Sequence, residues 1–77
     1  MILQDFVDRF SQEFEEAGQG SINGDTIFRD LEEWSSMQAL LIIAMIDEEY
    51  EVTLTADDIK QSKTVEEIYT IVKNRMN

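Results

Sequence analysis

Trp34-Ser35-Ser36-Met37-Gln38-Ala39-Leu40-Leu41-Ile42-Ile43-Ala44-Met45-Ile46-Asp47-Glu48-Glu49-Tyr50 decides the fold. Two serines stand at the head of the most apolar run in the chain, and the run ends in acid. Ser35-Ser36-Met37-Gln38 fits a capping box, with Ser35 at the N-cap and Gln38, three residues on, reaching back to it. With Ser36 as the cap, Ala39 would fall at the third position and no reciprocal bond would form. The stretch therefore predicts a helix that begins at Ser35 or Ser36 and runs to about Tyr50. The box ties Ser35 to the backbone and leaves the Ser36 hydroxyl free on the first turn. From Ala39 to Ile46 the helix is apolar on every face, so it is either enclosed or meets a partner. Three further helices cannot easily wrap it, so some of Leu40, Leu41, Ala44 and Met45 are expected at an outer surface.

Working upstream, residues 2–17 read as an amphipathic helix. Leu3, Phe6, Val7, Phe10, Phe14 and Ala17 recur at helical spacing, and Asp5, Asp8, Arg9, Gln12, Glu13 and Glu16 fill the other face. Gly18 and Gly20 are expected to stop it. Residues 18–34 then read as a long loop. Gly18-Gln19-Gly20-Ser21 and Asn23-Gly24-Asp25 are turn formers, and Ile22, Ile27, Phe28, Leu31 and Trp34 are expected to anchor the loop on the bundle. A loop of this length in a small domain is usually functional.

Downstream, Val52 and Leu54 lie in an extended link. Thr55-Ala56-Asp57-Asp58 opens a short helix with Ile59 inward, and Thr64-Val65-Glu66-Glu67 is a second capping box. The last helix should bury Val65, Ile68, Tyr69, Val72 and Met76, and Lys73 and Arg75 near its end suit the helix dipole. The whole of residues 1–77 is expected to be one all-α domain, a four-helix bundle with three longer helices, a short third helix and a long loop between the first two.

Composition narrows the function. With 77 residues there is room for one small core. The chain has no Cys and no His, so a disulfide frame, a thiolate metal site, a cysteine nucleophile and serine–histidine catalysis are all excluded within it, and no metal site is expected. The net charge of -11 argues against nucleic acid and against anionic membranes, and it favours basic protein partners reached by electrostatic steering. No basic-then-apolar leader pattern opens the sequence, and the longest apolar run is too short to span a bilayer. A cytoplasmic monomer is expected.

Phe28, Asp30-Leu31, the serine pair, Met37, the apolar helix, Asp47-Glu48-Glu49-Tyr50, Val52, Leu54, Asp57-Asp58-Ile59 and Thr64-Val65 stand in an order that resembles the acyl carrier proteins. In that family an Asp-Ser-Leu motif opens the second helix, and its serine carries 4'-phosphopantetheine, transferred from coenzyme A. Aligned without gaps from Asp47-Glu48-Glu49-Tyr50, the family's serine falls on Ser36, its Asp on Ser35 and its Leu on Met37. The resemblance implies a non-catalytic carrier that holds acyl groups as thioesters on the arm. It would serve fatty-acid, polyketide or related lipid biosynthesis. Its partners would be a phosphopantetheinyl transferase and acyl-loading and processing enzymes such as ketosynthases. The resemblance also implies that the apolar interior shelters the acyl chain, which a chain-length series read by thermal stability would test.

The sequence departs from the family pattern in ways that shape the expectation. Gln38 and Leu41 fall where the family is often acidic, so docking is expected to run through Met37, Leu40, Leu41 and Met45, with Ser35, Asp47 and Glu48 beside them. Glu32 and Glu33 add charge in the preceding loop. Two other readings stay open. Ser36 is also an ordinary serine near a helix start, and the chain would then be an unmodified acidic interaction module with the carrier fold. A peptidyl or aminoacyl carrier is the other, although Glu32-Glu33-Trp34 lacks the Gly-rich residues that usually precede the serine in such modules.

Overall fold

The computed structural model describes residues 2–14 and 22–76, and four α-helices make up its regular structure: α1 (Leu3–Ser11), α2 (Ser36–Tyr50), α3 (Ala56–Gln61) and α4 (Val65–Arg75). Among the described residues, a 3-10 turn, Phe28–Asp30, interrupts the long connection between α1 and α2. Helix α4 begins with the expected box, and α3 begins with one as well. Thr55 accepts from the Asp58 backbone N–H while the Asp58 carboxylate accepts from the Thr55 N–H, and Thr64 and Glu67 repeat the arrangement. Each box satisfies amides that have no partner inside the helix.

The connection before α2 uses the rest of the α4 amino terminus. Val65 N–H donates to Thr26 O at 3.1 Å and Glu66 N–H donates to Gly24 O at 2.9 Å. Loop and helix thus satisfy each other, and Ile22 and Phe28 sink into the core as expected. Leu31 and Trp34 are half-buried against it, and Ile27 is half-buried.

Around Phe6, Phe10 and Phe28, all fully buried, the core continues through Ile42, Ile46, Val65, Ile68 and Val72. Aromatic rings form a continuous series from the bundle to the start of α2. Phe6 lies 5.7 Å from both Tyr50 and Tyr69, Phe10 5.4 Å from Phe14, and Phe28 4.7 Å from Trp34, measured between ring centroids. Phe14 closes the series against Trp34 at 6.4 Å. Val52 and Leu54 are buried, which fixes the link between α2 and α3. That link begins with Glu51 in the left-handed region at φ 56°, with its N–H on Asp47 O.

One helix end and one core position differ from the sequence-based expectation. Helix α1 ends at Ser11, well before residue 17. The Ser11 hydroxyl donates back to Val7 O, and the N–H groups of Glu13 and Phe14 bond three residues back, to Phe10 and Ser11 carbonyls. The tighter turn delivers Phe14 to Trp34. The expected helix end at Ala17 and the expected stops at Gly18 and Gly20 lie outside the described residues. At the other end, Met76 follows the last turn of α4 and is exposed, because the helix stops at Arg75 before that turn returns to the core.

Candidate functional site

Ser35 and Ser36 divide the work at the head of α2. Ser35 is the N-cap, with its Oγ accepting from Gln38 N–H at 3.1 Å and its carbonyl accepting from Ala39 N–H at 3.0 Å. Ser36 is the first helical residue and is exposed, and its hydroxyl is not drawn into the cap. The reciprocal half of the expected box does not form. Gln38 is buried, and its amide Nε2 donates to Glu13 O at 2.8 Å. A long-range bond to the segment after α1 thus replaces the local one, and it clamps the first turn of α2 against that segment.

The exposed face of α2 is apolar. Met37, Leu40 and Leu41 are 66%, 62% and 44% exposed, and Ala44 lies on the surface with them. Asp47 and Glu48, one turn further, are also exposed. Met45 does not belong to this face. At 3% exposure it packs in the core with Ile42 and Ile46, because the helix turns that side toward the bundle. Glu49 is tied to Arg9 of α1, which also pairs with Glu13, at 3.1 and 2.7 Å.

Beside Ser36 a groove of about 440 Å³ separates α2 from α3. Ala39, Leu40, Ile43, Ala56 and Ile59 give it an apolar lining, and Trp34, Ser35 and Ser36 border it. Its two charged lining residues are Arg29 and Lys60, both cationic, in a chain with 17 acidic and 6 basic residues. Arg29 is fixed. Its guanidinium donates to Ile59 O at 2.6 Å and Ser62 O at 2.7 Å, and it sits 5.0 Å above the Phe28 ring. Nothing in the sequence marked Arg29 for this, since its partners lie some thirty residues away.

On the far side of α3, Arg75 grips Asp58 through both guanidinium nitrogens at 2.7 and 2.8 Å and reaches Thr53 O at 3.1 Å. Arg75 and the Thr55 N–H hold the Asp58 carboxyl at about 2, well below its usual 3.8. Among the described residues, no group of three or more His, Cys, Asp or Glu is placed to hold a metal ion. Among the same residues, no helix is long and apolar enough to cross a membrane.

A family model described as a phosphopantetheine attachment site matches residues 4–72. No curated protein and no solved structure gives a significant match. The site fits such a group. An exposed primary hydroxyl stands where a phosphodiester can be joined without disturbing the cap, and the adjoining groove has an apolar wall and no carboxylate in its lining.

Proposed function

The chain belongs to the phosphopantetheine attachment-site family, whose members bear covalent 4'-phosphopantetheine as carrier domains, and on that premise we propose that Ser36 carries the arm and that the cargo is an acyl group. The observation that carries the assignment is the division between the serines: Ser35 Oγ is committed to the Gln38 amide, and Ser36 is exposed at the mouth of the groove. In the transfer, Ser36 Oγ loses its proton and forms the new bond to phosphorus, while the pyrophosphate linkage of coenzyme A breaks and releases adenosine 3',5'-bisphosphate. The chain has no His and the groove beside Ser36 has no carboxylate in its lining, so the transferase provides the base for that proton.

The apolar groove supports an acyl cargo over a peptidyl one. Each methylene removed from water contributes about 0.8 kcal/mol, so the first few carbons of a chain gain from lying along Ala39, Leu40, Ile43 and Ile59. Enzymes of fatty-acid, polyketide or related biosynthesis, ketosynthases among them, dock on Met37, Leu40 and Leu41, with Asp47 and Glu48 at the edge. The protein works as a monomer in the cytoplasm, where coenzyme A is made available, and its net charge of -11 opposes self-association.

Intact mass after incubation with coenzyme A and a broad-specificity phosphopantetheinyl transferase tests the assignment. One phosphopantetheine increment is expected, retained in Ser35→Ala and lost in Ser36→Ala. An increment that follows Ser35 overturns the assignment. No increment with any transferase favours the unmodified interaction module, which the absence of the family's Asp before the serine keeps as the second reading.

A further inference from the structure

The basic residues of this chain are few, and their positions are informative. Arg9 is paired with Glu13 and Glu49, and Arg75 with Asp58. Arg29 is held by the carbonyls of Ile59 and Ser62, Lys73 lies over the Tyr69 ring at 6.0 Å, and Lys63 is exposed but does not line the groove. Lys60 is different. It is exposed, it lines the same groove as Ser36, and no ion pair joins it to a described carboxylate. With Arg29 behind it and no carboxylate in the lining, the groove is a locally positive place on a strongly negative protein.

We propose that Lys60 is a positioning residue for the arm: its ammonium crosses from α3 to pair with the phosphodiester joined to Ser36, and so latches α3 to α2. This rests on Ser36 being the attachment point. Lysine suits the task, because a flexible stem carrying a point charge can reach an anion whose place is set by another helix. Arg29 is less suited to it, because bonds to two carbonyls hold its guanidinium against the end of α3. The pairing also gives attachment a defined sign. A new negative charge on a chain of net charge -11 should be destabilising by repulsion, and a local cation offsets this.

The test compares apo and holo protein, each verified by intact mass, for wild type, Lys60→Gln and Lys60→Arg. Thermal unfolding at low salt and the ³¹P chemical shift of the holo forms are the readouts. Attachment is expected to leave the wild-type melting temperature unchanged or higher, and to lower that of Lys60→Gln relative to its own apo form by about 2–4 °C. The difference should shrink at high salt, and Lys60→Arg should restore the wild-type response. The ³¹P signal should move on Lys60→Gln and return toward the wild-type position in Lys60→Arg. Equal holo-minus-apo changes in wild type and Lys60→Gln, with an unmoved ³¹P signal, would overturn the latch. Absence of the mass increment on Ser36 would instead overturn the attachment assignment, so the two failures are distinct.

Discussion

Replacing Asp58 by Asn asks how the short α3, one wall of the groove, is held in place. The Asp58 carboxylate accepts from the Thr55 N–H at 2.9 Å and from two Arg75 nitrogens at 2.7 and 2.8 Å. A carboxyl lowered from 3.8 to about 2 corresponds to about 2 kcal/mol of linked stability if nothing screens it. The Arg75 side chain is 44% exposed, however, so solvent reduces the contribution to roughly 1 kcal/mol. The unfolded carboxyl binds its proton more tightly than the folded one. The stabilisation is therefore fully present above about pH 4 and is lost as pH falls through about 2. Asn can still accept from the Thr55 N–H but loses the charge. Asp58→Asn should accordingly melt about 4–8 °C below wild type at pH 7, and the two should converge toward pH 2. Circular dichroism melts from pH 2 to 7 measure this, and taking the difference removes the titration common to the remaining carboxylates. A gap that stays constant with pH, or no gap at pH 7, would refute the reasoning.

Gln38→Glu should destabilise by about 2 kcal/mol at pH 7, because a carboxylate cannot donate to Glu13 O and is placed against it instead; urea unfolding should show the loss shrinking as the pH is lowered to protonate it. Leu41→Glu should leave stability within about 0.5 kcal/mol, since the residue is on the surface, yet weaken binding of the holo protein to a cognate ketosynthase about tenfold by calorimetry. Unchanged affinity would remove Leu41 from the docking face.

What was legible in the sequence was what neighbours in sequence decide. Ser35, Thr55 and Thr64 announce three helix starts because a capping hydroxyl acts on amides two or three residues away. Val52 and Leu54 read as an extended link, and the structure buries both. The misses share a cause. Gln38 matched the local box, but a carbonyl 25 residues earlier competes for its amide, and that pairing has no local signature. Met45 was expected on the docking face because a helix apolar on all sides carries no phase; only packing into the common core selects Ile42, Met45 and Ile46 and leaves Leu40 and Leu41 outside. The Phe14 ring kept helical spacing with Phe10, yet the backbone had already left the helix at Ser11.

The exchange of the family's Asp for Ser35 can then be given a physical meaning. Ser and Asp are comparable N-caps, so the helix start does not depend on which is present. Charge is what differs. The resemblance implies that the Asp contributes to metal binding and recognition by many transferases, so a transferase acting here must manage with a neutral hydroxyl already committed to Gln38 N–H. In return, the position next to the handle carries no negative charge to repel a phosphodiester, and the nearest groove charges are Arg29 and Lys60. Restoring the acid with Ser35→Asp should therefore act in opposite directions on two steps. It should speed modification by a broad-specificity transferase, and it should weaken the hold of Lys60 on the finished arm by competing for the same ammonium.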